Sequence, residues 1–455
     1  MSLNAYSILL RLFAPVIWLW LMVRARRAGG QWQIFGSDRF GSYTQPWDGE
    51  PPVWVHAVSL GETRAAQSLI AGLIAAGDRV LLTHTTATGR AEGARLYATD
   101  IANGRLIQQW LPYDFPGATK RFFKHYQPRL GILIEREVWP NLVDQGRRAG
   151  VPMILASARF NAQALKHVQQ IDRLFGSLMQ DAYANLSLVL AQTQEDADRL
   201  FDAGATNIKV TGNLKFDAQL PVVAVDAGRA WRVKLNRPII SIASTREGED
   251  AMFVPALTAQ IRKMSDEGVQ IEAVPLSSPL FLLIPRHPQR FDEAAALLEQ
   301  SGLHFVRWSV IRHDAGAKDT LDQVRVVLCD TMGEMPFFYA ASDVAIVGGS
   351  FAPLGGQNLI EACAVGAPVI VGPFTHNFKD AVQGAVQSGA AIQLTASDLV
   401  DPAAQAVSTA VEWLKDEQAL DQRSHAARNW VSQHTGAASR MLHEITCFQD
   451  ERVKP

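Results

Sequence analysis

The sequence predicts an α/β protein made of two doubly wound, Rossmann-like domains that face a central cleft, preceded by an apolar N-terminal helix. Short apolar runs alternate with helical stretches along most of the 455 residues, which is typical of parallel α/β sheets. The alternation occurs in two series, separated at residues 218–236 by a stretch with no clear period. With 48% apolar and 19% charged residues, the chain can bury the cores that two such domains need.

The apolar segment at residues 6–23 carries a single charge, Arg11. No small-residue cleavage site follows it, which argues against a removable signal peptide. It is barely long enough to span a bilayer, and Trp18, Trp20 and the arginines just after it would suit an interfacial anchor equally well. We expect residues 1–28 to be a membrane anchor, with the chain after the arginines in the cytoplasm; the alternative is a buried N-terminal helix. Because the first residue with a predicted chemical role is Glu62, we expect the anchor to be largely dispensable for chemistry in detergent.

The first βα series is expected to form a domain over residues 29–217. Its predicted strands lie at residues 53–58, 80–83, 130–134, 153–156 and 188–191, with helices at 62–76, after Thr88-Gly89, and at 139–149. In a parallel sheet of this kind, ligands bind at the carboxyl ends of the strands. The loops that follow these strands are therefore the candidate sites.

The second series predicts a domain over residues 237–430, joined to the first by a linker at 218–236. Its strands are expected at residues 239–244, 281–284, 324–329, 344–347 and 368–371. The charged end of the chain is predicted to be helical, and residues 431–455 form a tail of the kind that often crosses back to brace a first domain.

Charge and cysteine content narrow the function. Lys and Arg are in excess over the first half of the chain and Asp and Glu over the second, so an anionic surface or substrate is expected at the first domain. Nucleic acid is a poor candidate partner because no basic run is interleaved with aromatic residues. Three scattered cysteines indicate a reducing compartment and argue against a disulfide framework or a zinc site.

The most informative stretch is the glycine-rich segment that begins at Gly348. Four glycines, at 348, 349, 355 and 356, precede a short predicted helix at 358–364 that carries Glu361. Glycine lets the backbone approach a ligand, and a helix N-terminus favours phosphate. Glu361 could accept hydrogen bonds from two ribose hydroxyls, so the segment predicts a nucleotide-sugar site; the alternative is a glycine-rich turn without a ligand.

Carboxylates follow two strands of the first domain. Glu62 lies at the start of a helix, where we expect it to be ionised and able to serve as a general base, although an acid there can simply cap the helix. Glu135 and Glu137 follow the strand at 130–134 and are expected to point the same way; no further Asp or His cluster supports a metal site. Lys215 could face a phosphate or a sugar carboxylate, but taken alone it would be interpreted as a surface lysine.

The second domain offers further groups at its strand ends. Residues 243–249 supply small hydroxyls and unpaired N–H groups, and Arg286 presents a fork suited to phosphate. The turn at residues 330–335 could recognise the edge of a base through its backbone.

Nine motifs occur together in one order. They are Ser59-Leu-Gly-Glu62, Thr88-Gly89, Leu111-Pro-Tyr-Asp114, Glu135-x-Glu137-x-Trp-Pro-Asn141, Gly212-Asn-Leu-Lys-Phe-Asp217, Ala243-Ser-Thr-x-Glu-Gly-Glu249, Pro285-Arg-His-Pro288, Met332-Gly-Glu334, and Gly348-Gly-Ser with Gly355-Gly-x-Asn358-x-x-Glu361. With these motifs in register, from the apolar segment to about residue 385, the chain resembles the 3-deoxy-D-manno-octulosonic acid (Kdo) transferases of lipopolysaccharide synthesis.

The resemblance implies an inverting, metal-independent glycosyltransferase of the GT-B fold, without a cofactor. The donor would be CMP-Kdo, the acceptor a lipid A precursor (lipid IVA), and the location the cytoplasmic face of the inner membrane. Glu62 would be the general base, and Glu135 and Lys215 would support the transition state. The residues expected to hold CMP are Pro285, Arg286, Met332, Gly333, Glu334, Asn358, Leu359, Ile360 and Glu361.

The chain departs from the family pattern without losing a residue with an assigned role. Arg136 separates the two glutamates where the family usually has a small residue, and Ser157 replaces an asparagine. Two alternatives remain at this point. One is a GT-B enzyme that uses a UDP-sugar, as transferase or epimerase; the other is a non-catalytic, membrane-bound protein that binds lipid A.

Overall fold

A computed structural model describes residues 3–29, 31–44, 47, 49–266, 278–313, 317–395 and 401–453. The chain divides into two compact units, the first formed by Met1–Gln219 with His434–Pro455 and the second by Leu220–Gln433.

The first unit contains a parallel sheet of seven strands in the order β3-β2-β1-β4-β5-β6-β7. The strands are β1 (Val53–His56), β2 (Val80–His84), β3 (Leu106–Trp110), β4 (Leu130–Ile134), β5 (Met153–Ala158), β6 (Leu188–Ala191) and β7 (Ile208–Val210). The five inner strands, all predicted, are buried along their whole length. The edge strands β3 and β7 were not predicted, because partly exposed residues interrupt their apolar pattern.

The helices of the first unit are α1 (Leu3–Ala28), α2 (Leu60–Ala65), α3 (Gln67–Ala75), α4 (Ala87–Leu96), α5 (Ala98–Ala102), α6 (Pro116–Tyr126), α7 (Pro140–Arg148), α8 (Ala162–Phe175), α9 (Leu178–Ala184), α10 (Gln194–Asp202) and, from the end of the chain, α21 (Ala437–Val453). Short 3-10 helices lie at Ser37–Phe40 and Leu214–Asp217. Met441 and Ile445 of α21 join the core beneath the sheet, next to α3.

One side of helix α1 packs against the first unit, and the other side is exposed. In the described part of the chain it is the one helix whose length and composition would allow it to cross a membrane, with a mean hydropathy of 1.8 over its most apolar window. Trp18 packs edge-on against Phe35 and Phe40 of the first unit. Leu12 is nevertheless 68% exposed and Val16 62%, so α1 is not a buried core helix.

The second unit repeats the architecture with strand order β10-β11-β9-β8-β12-β13-β14, again parallel throughout. The strands are β8 (Ile239–Thr245), β9 (Leu280–Pro285), β10 (Phe305–Arg307), β11 (Val326–Leu328), β12 (Val344–Val347), β13 (Val369–Val371) and β14 (Ala391–Gln393). The outer strands β10 and β14 are short and partly exposed, and they were not predicted.

Its helices are α11 (Val222–Leu235), α12 (Glu249–Asp266), α13 (Phe291–Gln300), α14 (Trp308–Ile311), α15 (Ala317–Gln323), α16 (Met335–Ala341), α17 (Ile360–Val365), α18 (Lys379–Gln387), α19 (Pro402–Trp413) and α20 (Glu417–His434), with a 3-10 turn at Pro288–Arg290. Helix α11 lies where we expected a linker without periodic structure. It packs closely on α16: a Cβ atom at Gly228 would lie 2.3 Å from the Phe337 carbonyl oxygen.

Candidate active site

Glu62 lies in the first turn of α2, after the carboxyl end of β1. The Ser59 hydroxyl caps this helix by accepting a bond from the Glu62 N–H (3.4 Å), and it donates to Glu62 Oε1 (3.3 Å). Glu62 Oε2 accepts a 2.6 Å bond from the N–H of Val58. The carboxylate is therefore held in a capping arrangement at the strand end, which fixes its position.

The protonation of Glu62 differs from our expectation of a simply ionised acid. Loss of hydration, with the negative charges of Glu135 and Glu137 added to it, raises the pKa of Glu62 to about 7. The Val58 N–H and Lys215 act in the opposite direction but are outweighed. Near neutral pH Glu62 is close to half protonated, which suits a group that has to accept a proton.

Glu135 follows β4 in a left-handed backbone conformation, with φ of 63°. Its Oε1 lies 2.5 Å from Lys215 Nζ, and side-chain exposure is only 14% for Glu135 and 20% for Lys215. Lys215 belongs to the 3-10 turn at Leu214–Asp217, whose start is capped by the Asn213 side chain. Lys215 is thus one half of a largely buried ion pair, contrary to its interpretation as an isolated surface lysine.

Glu137 has different partners from Glu135. Its Oε2 accepts a 2.9 Å bond from Trp139 Nε1 and lies 4.0 Å from His56 Nε2. Burial raises the pKa of Glu137 and lowers that of His56 to about 3, so this histidine is neutral. The expectation that the two glutamates point the same way assumed extended backbone, and the left-handed turn at Glu135 removes that alternation.

Ser157 connects the neighbouring strand end to the Lys215 turn. Its Oγ accepts bonds from Gln192 Nε2 (3.2 Å) and from the N–H of Leu214 (3.3 Å), and it is 1% exposed. Its φ of 51° is left-handed, a region that asparagine adopts more readily than serine. Sequence reasoning noted Ser157 only as a departure from the family pattern.

In the second unit Glu249 organises the glycine-rich loop. This fully buried carboxylate accepts bonds from the N–H groups of Gly349 (2.6 Å), Phe351 (2.9 Å), Ala352 (3.2 Å) and Arg246 (2.8 Å). The Gly348 N–H is bonded to the Ala243 carbonyl. We expected the glycines to let the backbone approach a ligand, but the N–H groups of Gly348 and Gly349 are already bonded within the protein.

The charges of Arg286 and Glu361 both act on one buried tyrosine, Tyr339. The Tyr339 hydroxyl is hydrogen-bonded to Ser244, and the charges of Glu361 and Arg286 act on its pKa in opposite directions, with burial raising it most. The main-chain N–H of Arg286 is fixed to the Thr245 carbonyl at 2.9 Å. These two charged residues lie 75 residues apart in the sequence, and both influence the same buried hydroxyl.

The start of α17 arranges the remaining predicted nucleotide residues. The Asn358 side chain bonds to the first turn of the helix, accepting from the Ile360 N–H (3.1 Å) and donating to Glu361 Oε1 (3.1 Å). The side chains of Leu359 and Ile360 are buried in the core. Those two residues can therefore meet a ligand only through the main chain, and the helix begins at Ile360, two residues later than predicted.

Glu334 is hydrogen-bonded within the protein, although its side chain is 32% exposed. Its Oε2 accepts bonds from the Thr331 hydroxyl and from Trp308 Nε1 (3.3 Å). Met332, by contrast, is 56% exposed, and Gly333 has a φ of 86°, which allows a tight turn. Pro285 is the buried last residue of β9. This loop offers a ligand its main chain and the Met332 side chain, held in place by Glu334.

Known proteins resemble this chain in sequence. Residues 36–218 match a family described as 3-deoxy-D-manno-octulosonic-acid transferase (kdotransferase). A 3-deoxy-D-manno-octulosonic acid transferase from Bordetella pertussis is 53% identical over 98% of this chain and 99% of its own length. Its counterpart from Haemophilus influenzae is 30% identical over 92% of each chain.

A solved structure supports the fold class. The crystal structure of a glycosyltransferase from Rickettsia africae matches with a TM-score of 0.56 at 13% identity, covering 90% of this chain and all of the other. At that identity the likeness concerns the fold alone. With two parallel seven-stranded sheets, the fold class is GT-B, as predicted.

Proposed function

Because the chain belongs to the family of Kdo transferases, we propose that it transfers Kdo from CMP-Kdo to a hydroxyl of a lipid A precursor, with inversion at the anomeric carbon and without a metal ion. The observation that carries this proposal is Glu62: a fixed carboxylate at a strand end, with a pKa near the pH at which a general base works best.

Glu62 is proposed to take the proton of the acceptor hydroxyl. The acceptor oxygen forms its bond to the anomeric carbon while the bond from that carbon to the CMP phosphate oxygen breaks. CMP leaves with the electron pair, and the proton remains on Glu62 until it is lost to solvent. Attack on the face opposite the leaving group inverts the anomeric configuration.

The ion pair of Glu135 and Lys215 is proposed to support the transition state. Positive charge develops on the sugar as the bond to CMP breaks, and a fixed carboxylate such as Glu135 stabilises it. Lys215 Nζ lies 2.5 Å from Glu135 Oε1, so the carboxylate already holds its ion-pair partner in a largely buried site. A preformed pair needs little rearrangement during the reaction.

The nucleotide is proposed to bind the second unit through Arg286, the Met332–Glu334 turn and residues 358–361. Arg286 supplies positive charge for the phosphate, and Glu361, oriented by Asn358, supplies acceptors for ribose hydroxyls. Because Glu249 already occupies the loop N–H groups of Gly349, Phe351 and Ala352, phosphate recognition falls mainly to the guanidinium.

Helix α1 is proposed to anchor the protein to the cytoplasmic face of the inner membrane. Its exposed apolar side chains, Leu12, Phe13 and Leu19 among them, would be costly in water and stable in lipid. Arg24 stacks on Trp20, a pairing that suits the membrane–water interface. The acceptor is itself a lipid, so an anchored enzyme meets it at the surface where it resides.

One assay tests the reaction. The purified protein in detergent is incubated with CMP-Kdo and lipid IVA, with and without EDTA, and the masses of the products are determined by mass spectrometry. We expect a mass increase of one or more Kdo units, unaffected by EDTA. A protein that is stabilised by UDP but not by CMP in a thermal-shift assay, and that adds no Kdo, would contradict the proposal and favour a UDP-sugar enzyme.

A further inference from the structure

The first turns of α1 make polar contacts with Asp114 and Asn141, two motif residues to which we have assigned no role. The Tyr6 hydroxyl donates a 3.0 Å bond to Asp114 Oδ2, the last residue of the Leu-Pro-Tyr-Asp motif. The Ser7 hydroxyl has two acceptors within hydrogen-bond distance. One is Asn141 Oδ1 (2.9 Å), from the last residue of the Trp-Pro-Asn motif, and the other is the Leu3 carbonyl one turn earlier in α1 (2.9 Å). A helix expected to act only as an anchor thus contacts the interior of the first unit.

Asp114 caps helix α7 although it lies 27 residues earlier in the sequence than Asn141. Trp139, at the N-cap position of α7, supplies no side-chain cap. Asp114 instead accepts bonds from the first-turn N–H groups of Asn141 (3.2 Å) and Leu142 (2.8 Å), and its carbonyl accepts from Asn141 Nδ2 (2.6 Å). A carboxylate at a helix N-terminus satisfies otherwise unpaired donors and the helix dipole. Asp114, Asn141 and Ser7 are each less than 10% exposed, so these bonds lie in a poorly hydrated site, where losing one is costly.

The first turn of α7 is also one end of the loop that carries Glu135 and Glu137. The other end is fixed to the sheet, where the Glu135 N–H donates to the Ala156 carbonyl at 3.0 Å. Between these two ends, Glu135 holds its left-handed conformation and its ion pair with Lys215. The position of both carboxylates therefore depends on how firmly the start of α7 is held.

The polar contacts are not needed to attach α1 to the unit. Trp18, three turns further along, is surrounded by Phe35, Phe40, Tyr113 and Phe115, with ring centroids 5.6–6.4 Å apart. This aromatic cluster supplies the apolar area that docks the helix. The hydroxyls of Tyr6 and Ser7 add little area, but they complete the hydrogen bonding around Asp114 and Asn141.

We propose that Tyr6 and Ser7 are positioning residues for the acidic loop, so that α1 connects membrane attachment to the geometry of Glu135 and Glu137 through Asp114 and Asn141. This inference rests on the proposed function of that loop. It differs from our expectation that the anchor is largely dispensable for chemistry, because removal of α1 takes away the bonds of Tyr6 and Ser7 and uncovers Asp114, which caps α7.

The test uses the full chain in detergent, where membrane binding plays no part. In Tyr6→Phe/Ser7→Ala, we expect kcat to fall about tenfold to a hundredfold, because a misplacement of catalytic groups by about 1 Å can cost about a hundredfold in rate. The KM for CMP-Kdo should stay unchanged, because the proposed nucleotide residues all belong to the second unit. Ser7→Thr, which keeps the hydroxyl, should restore most of the loss due to Ser7→Ala.

Two control variants separate positioning from general damage. Tyr97→Phe removes a buried hydroxyl that has no hydrogen-bond partner among the described residues, and Leu12→Ala shortens an exposed side chain of α1. Both should keep the wild-type kcat. A double variant with wild-type kcat, or one that loses activity through KM alone, would overturn the proposal.

Amide hydrogen exchange provides a readout that does not depend on the reaction. The N–H groups of Asn141 and Leu142, and those of the loop 135–139, should exchange faster in Tyr6→Phe/Ser7→Ala than in Tyr97→Phe. Unchanged exchange would overturn the proposed connection even if turnover fell. If the wild-type protein does not transfer Kdo, the proposed function fails, and the exchange result still decides whether α1 supports the loop.

Discussion

Replacement of Glu62 by glutamine is the sharpest test of the proposed chemistry. The amide keeps the size of the side chain but cannot accept the acceptor proton. Positioned acid–base catalysis contributes about 10² to 10⁴ in rate. That range corresponds to roughly 2.7–5.4 kcal/mol of barrier at about 1.36 kcal/mol per decade. We expect kcat to fall by this factor while CMP affinity stays near wild type.

The pH profile adds a second, independent signature. Glu62 must be ionised to act as a base, and its pKa is raised to about 7. The wild-type rate should therefore rise with pH and level off above about pH 8. At pH 6, one unit below the pKa, only about a tenth of the molecules carry the ionised base. The low residual rate of Glu62→Gln should lack this acidic limb.

Initial rates from pH 5.5 to 9, followed by CMP release, would measure both quantities. Calorimetry with CMP and thermal melting would show whether the variant still folds and binds nucleotide. Glu195→Gln is the matched control, because Glu195 is an exposed acid of the same unit whose partner is a neighbouring arginine on α10. Wild-type turnover in Glu62→Gln, or an acidic limb that persists in it, would refute the assignment of the base.

Three further predictions concern the nucleotide, the loop and the membrane. Arg286→Ala removes a charge-assisted contact of about 1.5–3 kcal/mol, so calorimetry should show CMP binding about ten- to a hundredfold weaker; unchanged affinity would place the phosphate elsewhere. Glu249→Gln replaces one carboxylate oxygen by an NH2 group, so the two N–H groups bonded to that oxygen lose their acceptor. The free energy of unfolding, measured with denaturant, should fall by about 3 kcal/mol or more. Glu247 is exposed, so Glu247→Gln should have the stability of the wild type. Glutamine at three exposed positions of α1 (Leu12, Val16 and Leu19) should move the protein from the membrane pellet to the supernatant, while glutamine at the exposed Val223 should not; a triple variant that still pellets would contradict the anchor.

The parts of the fold that were predictable from sequence are those where burial leaves a continuous apolar run. Strands such as β1 and β4 lie at the centre of a parallel sheet, with both faces covered, and their sequences show it. The edge strand β7 has residues of intermediate or full exposure, so its sequence resembles a loop. Helix α11 was overlooked because its exposed face carries Val222, Val223 and Val233, which obscure the amphipathic pattern.

Sequence analysis could select candidate site residues by their type and their position after a strand. It could not predict properties that depend on contacts with residues distant in the sequence. Glu62 and Glu135 were singled out by their positions at strand ends, whereas Lys215 received a role only from the family resemblance. The ion pair of Glu135 with Lys215 and the raised pKa of Glu62 depend on contacts over long sequence separations. Glu249 was not recognised as the residue that holds the glycine-rich loop, because its partners lie about 100 residues further on. An acid in the first turn of a helix after a strand was its only local signal.

The return of α21 to the first unit has a consequence for the order in which the protein folds. The first unit needs residues from both ends of the chain, so it cannot be completed until the second unit has been synthesised. Until then, the apolar surface of α3 around Leu69 and Gly72 lacks its cover; in the finished protein this cover is so close that a Cβ atom at Gly72 would lie 2.2 Å from Leu442. During synthesis the nascent first unit therefore presents an apolar surface to chaperones, or to other nascent chains, for the whole time that the second unit takes to emerge.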